Sequence, residues 1–302
     1  MKKTITVILL TYVLLIFNFT FKIDNCPAQT GWFSLNSGST AALLSTFFTD
    51  VSTGYIVGNP GVVLKTTNGG ANWFSQSIAS IEILRYVLFT DVNTGYIAGG
   101  STIGGNVYKT TNGGNTWNSL ILPNYVHFYS IFFNNSNTGY VSGNEIILKT
   151  TNAGITWTSQ MFTGYSYISQ VFFADETNGF ACAYNKKILK TTNAGANWQD
   201  VFTYTGVGYL NGLQFINANT GTVVGGTTTD LGSASILRTT NGGMNWINYS
   251  FNNSSIYGLG RVQFVNSNIG YICGGGLTVN TLATIMKTTD GGANWYYQIP
   301  NT

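Results

Sequence analysis

Charge is scarce in this chain. Of its 302 residues only 8% are Asp, Glu, Lys or Arg, and there is a single His, with 3 Cys and 4 Pro. One His cannot supply a His-cluster metal centre. It leaves a Ser-His-Asp triad only His127, set inside the aromatic stretch "YVHFYS". A net charge of +3, with no basic cluster interleaved with aromatics, gives no footprint for nucleic acid or an anionic membrane. Beyond the first 25 residues there are no runs with apolar residues at i, i+3, i+4 and i+7, so helices are not expected. What is abundant is Gly (37 residues), aromatic side chains (15%) and Thr and Asn in short clusters. That balance suits an all-β chain rich in tight turns.

The N-terminus is the exception. Lys2 and Lys3 precede an apolar run from Ile5 to Phe21, and Cys26-Pro27-Ala28 places small residues at −3 and −1 of an export cleavage site. The expectation is a signal peptide over residues 1–28 and a mature chain over 29–302, delivered to a periplasmic, cell-surface or extracellular location without stable membrane insertion. The alternative is an uncleaved anchor, since the run approaches spanning length. A lipoprotein is disfavoured by the charge in Ile-Asp-Asn before Cys26. Cleavage takes three Lys and one Asp, so the net charge falls from +3 to +1.

The rest of the chain repeats itself. Each unit opens with an apolar stretch ending in Phe, with Asp or Asn two residues on: Phe48/Asp50, Phe89/Asp91, Phe133/Asn135, Phe173/Asp175, Phe215/Asn217 and Phe264/Asn266. A Gly followed by an aromatic or Thr comes next, from Gly54-Tyr55 to Gly270-Tyr271. The unit closes on a turn such as "ILKTTNAGANW". Six copies of that turn carry Asn68, Gly70 and Trp73; Asn112, Gly114 and Trp117; Asn152, Gly154 and Trp157; Asn193, Gly195 and Trp198; Asn241, Gly243 and Trp246; and Asp290, Gly292 and Trp295. Successive Trp residues lie 44, 40, 41, 48 and 49 residues apart. A period of that size with about four short strands per unit (A to D) marks a β-propeller, where radial repetition protects sheet edges.

The turn has a local rationale. Asn193 is expected to accept a backbone N–H two residues on, Gly195 to supply positive φ, and Trp198 to fold back as an apolar plug. This is hairpin construction and requires no substrate.

These residues resemble the Asp-box, Ser/Thr-x-Asp-x-Gly-x-Thr-Trp, of sialidase-like BNR-repeat propellers, with Asn replacing Asp in all copies but Asp290. The whole unit, from Phe-x-Asp through Gly-Tyr to the Trp, is similar to the photosystem II assembly and stability factor family over about residues 30–302. The resemblance implies an all-β propeller of four-stranded blades with a non-catalytic scaffold or assembly role, in a domain reused by exported proteins unrelated to photosynthesis. Similar propellers usually close seven blades by joining an N-terminal D strand to C-terminal A, B and C strands. Here Trp32 in "GWFSLN" supplies a lone D-like segment 41 residues before Trp73, and the given sequence carries only seven residues after Trp295. Six repeat units are expected, with seven-bladed closure as the alternative if C-terminal strands are missing.

Strand parity places the A–B and C–D turns on one side and the varied B–C and D–A loops on the other. Binding residues favour variable loops on rigid scaffolds. That side is dense in aromatics, including Tyr125, Phe128, Tyr129, Tyr165, Tyr167, Tyr204, Tyr209 and Tyr257. The candidate binding residues are Arg85, Tyr86, Tyr129, Tyr165, Tyr167, Gln170, Asn211 and Arg261, several of them just before strand A at the expected channel mouth. One basic residue per unit (Lys65, Lys109, Lys149, Lys190, Arg238, Lys287) forms either a like-charged ring for an anionic partner or a set of edge side chains that keep the blades soluble.

No catalytic residues, metal ligands or cofactor are expected. Asp50, Asp91 and Asp175 occupy equivalent turns, and Glu82, Glu145, Glu176, Asp200 and Asp230 are scattered, whereas a retaining glycosidase needs two carboxyls about 5–5.5 Å apart. A sialidase would want an arginine cluster, and only Arg85, Arg238 and Arg261 exist. Cys182 and Cys273 each follow the unit's Gly by three residues. They fall at equivalent places in units 4 and 6, too far apart for the Cα separation of about 4.4–6.8 Å that a disulfide needs. Two buried free thiols are therefore expected. The functional reading is an exported protein-binding or assembly module; the alternative is a carbohydrate-binding or glycoside-hydrolase-like propeller acting on extracellular glycans.

Overall fold

A computed structural model describes residues 35–298 apart from 77, 79–81, 102–103, 124–125, 228, 251–255 and 276–283. The expected signal peptide, Cys26, Trp32 and Tyr125 lie outside the described residues. Every described element is a strand, and the strands form six four-stranded antiparallel sheets, the blades of a β-propeller.

Blade 1 is β1 (Ala42–Phe48), β2 (Gly54–Asn59), β3 (Val63–Thr66) and β4 (Phe74–Ser75). Blade 2 is β5 (Ile83–Phe89), β6 (Gly95–Ser101), β7 (Gly104–Thr110) and β8 (Asn118–Ser119). Blade 3 is β9 (Phe128–Phe133), β10 (Gly139–Gly143), β11 (Ile146–Thr150) and β12 (Thr158–Met161). Blade 4 is β13 (Ile168–Phe173), β14 (Gly179–Ala183), β15 (Lys187–Thr191) and β16 (Gln199–Thr203). Blade 5 is β17 (Tyr209–Phe215), β18 (Gly221–Gly226), β19 (Ser235–Thr239) and β20 (Ile247–Ser250). Blade 6 is β21 (Leu259–Phe264), β22 (Gly270–Gly274), β23 (Thr284–Thr288) and β24 (Tyr296–Tyr297). The D strands shrink to two residues in blades 1, 2 and 6, shorter than their apolar stretches suggested.

The chain divides into two compact units. One holds residues 1–139, 150–158 and 299–302, and the other 140–149 and 159–298. In the first, blades 1 and 2 share a core of Tyr55, Val57, Leu84, Val87 and Ile97. In the second, Phe180, Cys182, Leu210, Leu213 and Val223 fill the space between blades 4 and 5, and Val224, Ile236, Leu259 and Ile272 that between blades 5 and 6. B strands are covered on both faces, so β10, β14 and β22 are buried along their whole length. This explains why the sequence shows little alternation there. Each fully buried Leu or Ile contributes about 1.5–3 kcal/mol.

One aromatic relay explains the repeated letters. In units 1 to 4 the ring after the Gly stacks on the Phe that ends the next blade's A strand: Tyr55 on Phe89 at 4.1 Å, Tyr96 on Phe133 at 4.2 Å, Tyr140 on Phe173 at 4.0 Å and Phe180 on Phe215 at 3.7 Å. That Phe meets the Trp of its own blade edge-on, as Phe173 meets Trp198 at 5.7 Å. It also lies flat over the Gly that opens its own B strand. A Cβ on Gly179 would fall 2.6 Å from the Phe173 ring. The Gly is there because the Phe needs its space.

The lone D-like segment leaves one trace. Leu35, three residues after Trp32, lies 3.1 Å from the Cβ position of Gly70, as Leu120, three after Trp117, lies 3.1 Å from that of Gly154. Cys182 and Cys273 are buried free thiols, as the register required.

Candidate functional site

Backbone hydrogen bonds sort the connections into the two sides that parity implied. On the turn side the C–D turn of each blade donates to its A–B turn: Gly69 N to Ser52 O, Gly113 N to Asn93 O, Ala194 N to Thr177 O and Gly242 N to Asn219 O, each within 2.8–2.9 Å. On the loop side D–A and B–C loops bond to each other, as in Glu145 N to Ser166 O, Tyr184 N to Tyr167 O and Tyr204 N to Lys186 O.

On the turn side the Thr, Asn and main-chain groups of each turn bond to one another. In the fourth copy Thr191 Oγ1 accepts from Asn193 N at 3.3 Å and Gly195 N at 2.9 Å, while Asn193 Oδ1 accepts from Asn197 N at 2.9 Å. The short-range acceptor is thus the Thr, and the Asn reaches four residues on rather than two. Gly195 has φ 76°, and its Cβ position lies 2.9 Å from Tyr140 of the preceding blade, so positive φ and close approach both demand Gly. Trp157 Nε1 donates to Gly154 O at 3.2 Å, whereas the indole nitrogens of Trp73, Trp117, Trp198, Trp246 and Trp295 are buried without an acceptor. The plug is held by packing.

Asp50, Asp91 and Asp175 cap the A–B turns, as expected from their equivalence. Asp175 Oδ1 accepts from Thr177 N at 2.8 Å and Asn178 N at 2.7 Å, and Asn135, Asn217 and Asn266 do the same in their blades. Burial works upward on Asp175, but these bonds overcome it and hold its carboxyl at about 2.

The basic series is neither a ring of solvated charge nor a set of edge side chains. Five of the six, those of blades 1 to 5, cross to the next blade and donate to the carbonyl that follows the turn Asn or Asp: Lys65 to Gly113 at 2.7 Å, Lys109 to Ala153 at 2.8 Å, Lys149 to Ala194 at 2.6 Å, Lys190 to Gly242 at 2.6 Å and Arg238 to Gly291 at 3.3 Å. In blades 1, 2 and 3 the Tyr hydroxyl donates to the same oxygen, as Tyr140 does to Ala194 at 2.8 Å. Both lone pairs of the carbonyl are then used. Lys287 lies over the Tyr271 ring, 5.8 Å from its centroid.

The loop side carries the candidate residues. Arg85, Tyr86, Tyr129, Gln170, Asn211 and Arg261 lie within the A strands rather than just before them. The strands β1, β5, β13, β17 and β21 each bulge there, which makes Arg85 and Asn211 the extra residue and sets Tyr86, Gln170 and Arg261 immediately after it. A bulge re-aims side chains. In one unit Arg85 stacks over Tyr129, with its guanidinium carbon 5.0 Å from the ring centroid. In the other, Gln170 Oε1 accepts from Arg261 Nη1 at 2.8 Å and from Leu213 N at 3.2 Å, while Asn211 Nδ2 donates to Leu259 O at 2.9 Å and Gly226 O at 3.2 Å. Side chains from blades 4, 5 and 6 thus form one hydrogen-bonded cluster.

Tyr165 and Tyr167 belong to a separate group in the D–A loop before blade 4. The Tyr165 hydroxyl donates to Asp200 Oδ1, and Asp200 Oδ2 pairs with Lys187 Nζ at 2.8 Å, the one ion pair among the described residues. Tyr167 meets Tyr184 edge-on at 5.1 Å, and Tyr184 stacks on Tyr209 at 3.5 Å. Burial, then its bond with Tyr209, pushes the Tyr184 phenol up to about 12. Tyr184 and Lys187 were missed in the sequence, although "AYNKKI" sits in a B–C connection that parity already assigned to this side. Two of the aromatics expected to be displayed, Phe128 and Tyr204, are core residues. The remaining acids are tied locally: Glu82 accepts from Asn106 Nδ2 at 2.7 Å, and Glu145 from Gly164 N at 2.9 Å. No group of three His, Cys, Asp or Glu able to hold a metal occurs among the described residues.

Residues 25–126 match the family described as photosynthesis system II assembly factor YCF48. Among solved structures, YCF48 bound to D1 peptide aligns with a TM-score of 0.68 at 18% identity, covering 92% of this chain and 87% of that one. YCF48 from Cyanidioschyzon merolae aligns at 0.55 and 16% identity, covering 80% and 95%. A GH74 xyloglucanase from Xanthomonas campestris aligns at 0.69 and 12% identity, covering 89% of this chain but 46% of the enzyme. No curated protein matches the chain. At these identities the structural likeness shows the fold, a β-propeller, and the family match extends over the first repeats only.

Proposed function

We propose that the chain is an exported, non-catalytic propeller that binds a protein segment on its loop side, at the A-strand cluster where the buried Gln170 holds Arg261 and Asn211 lies in the adjoining blade. The observation that carries this reading is the locking of those three side chains, from three blades, by hydrogen bonds before any partner arrives. A preorganised cluster loses little side-chain entropy on binding. The Arg261 guanidinium offers a planar fork of donors suited to a carboxylate or a peptide carbonyl. Support also comes from the likeness to YCF48, one structure of which is a complex with D1 peptide. The turn side, with the Thr, Asn and main-chain groups of its turns already bonded to each other, is a poorer candidate.

The test is a peptide array probed with purified residues 29–302, in parallel with a polysaccharide panel scored for new reducing ends. Peptides should be retained, and Arg261→Ala should weaken them by about tenfold, the loss of one charge-assisted bond. Release of sugar ends would overturn the non-catalytic reading and direct attention to Glu145, Asp200 and Asp230. Peptide binding indifferent to both Arg261→Ala and Gln170→Ala would move the site elsewhere.

A further inference from the structure

The loops around Tyr165 and Tyr167 are not used by that docking cluster. They have three properties in combination. First, aromatic carbon is on display: Tyr167 is 39% exposed and stands at 65° to Tyr184, which lies flat on Tyr209. Second, the ring hydroxyl of Tyr165 is tied to Asp200, and Asp200 to Lys187, so a carboxylate and an ammonium sit half-exposed beside the rings with their charges cancelled. Third, the backbone there is consumed. Phe162 N bonds Glu145 O, Glu145 N bonds Ser166 O, Tyr184 N bonds Tyr167 O, Tyr204 N bonds Lys186 O, and Asn185 Nδ2 bonds Gly164 O. The platform is also held in shape at some cost. Of the five described non-glycine residues with positive φ, Ala153 and Ala194 belong to the repeated turns. Of the other three, Ser166 and Lys186 lie in these loops, and Glu145 lies in the β10–β11 turn that bonds to Ser166 O.

A peptide that adds as a strand needs a free row of N–H and C=O groups, and this surface has little of one. What remains is the partly exposed Tyr167 ring, two residues along the chain from Tyr165, whose hydroxyl holds one acceptor and one donor side chain of opposite charge. That matches a ligand with an apolar C–H face and hydroxyls around its edge, which is the chemistry of a pyranose ring. We infer that the loops joining β12 to β13 and β14 to β15 form a sugar-binding platform for neutral glycans, with Tyr167 as the stacking ring and Asp200 and Lys187 as the groups that meet the hydroxyls.

The mature chain is titrated calorimetrically with cellohexaose, xylohexaose, mannohexaose and chitohexaose. At least one should bind with Kd on the order of 0.1–1 mM. Tyr167→Ala should weaken it about tenfold, the scale of one aromatic contact, and Tyr167→Trp should restore it. Arg261→Ala should leave sugar binding unchanged, which separates this site from the protein-docking cluster. Unaltered melting of Tyr167→Ala shows that the loss is local. No binding to any of the four sugars, or binding that survives Tyr167→Ala, overturns the proposal, whatever the outcome with peptides.

Discussion

Lys149 Nζ donates to the carbonyl oxygen of Ala194, 45 residues away, at 2.6 Å. The Tyr140 hydroxyl donates to that same oxygen at 2.8 Å. Blade 3 therefore holds the turn of blade 4 by two donors on one acceptor, and the arrangement recurs with Lys65 and Tyr55 on Gly113 and with Lys109 and Tyr96 on Ala153. The basic position of repeats 1 to 5 is an inter-blade latch.

Cutting one latch has a predictable cost. A hydrogen bond from a charged donor contributes about 1.5–3 kcal/mol, and partial exposure of the lysine places Lys149→Ala at the lower end. Its midpoint in urea should fall with little change in slope. Lys149→Met keeps the stem packed over Tyr140 but loses the donor, so it should be destabilised nearly as much. A Met variant as stable as wild type would reduce the latch to packing alone.

The Phe–Gly contact gives a sharper test because its two partners should not be additive. Phe173→Ala removes a ring that stacks on Tyr140 and abuts Trp198, at a cost of about 3–5 kcal/mol. Gly179→Ala puts a methyl within 2.6 Å of that ring and should cost about 1–3 kcal/mol by overpacking. In the double variant the methyl moves into the space the ring vacated. Denaturant unfolding of the four proteins should therefore show a combined loss smaller than the sum of the singles. Simple additivity would mean that Gly179 is required for some other reason.

How much of this was legible depends on how local the cause is. The turn that ends in Trp198 could be read from its own letters, since Thr191, Asn193 and Gly195 are held by bonds spanning no more than four residues. Six repeat units could be read from the period, with seven-bladed closure left open, and the buried thiols from the equivalent places of Cys182 and Cys273 three residues after Gly179 and Gly270. Lys149 was misread because its acceptor is a backbone carbonyl, and a carbonyl has no sequence signature. Gln170 and Arg261 were chosen for position, but their mutual bond spans 91 residues and depends on bulges that no residue type announces. Phe128 and Tyr204 show the converse limit: an aromatic in a loop-side segment can point inward.

Acid stability should be traceable to one carboxyl. Asp175 is held at about 2 in the folded chain, below its ordinary 3.8. A depressed carboxyl stabilises the fold above the unfolded pKa, and that stability is lost as pH falls through the folded one, here between about pH 4 and 2. Asp175→Asn keeps an oxygen acceptor for Thr177 and Asn178, as Asn135 does naturally for Asn137 and Thr138. The variant should melt close to wild type at pH 7 and lose less than wild type between pH 4 and 2. Parallel acid limbs would show that Asp50, Asp91 and Asp290, which are also depressed, carry the effect instead.

The thiols offer a test of the register itself. Burial pushes Cys182 up to about 12 and Cys273 up to about 11, even though the nearby Arg261 charge pulls both downward. At neutral pH neither is a thiolate, and neither can be reached from solvent without opening a blade. Mature protein should give almost no reaction with Ellman's reagent over an hour. In guanidinium chloride both cysteines should react at the rate of free thiols, without prior reduction. A requirement for reductant would indicate a disulfide between blades 4 and 6 and break the repeat register. Rapid reaction in the native state would show instead that the core beneath Arg261 opens readily, and the docking cluster would then rest on a mobile base.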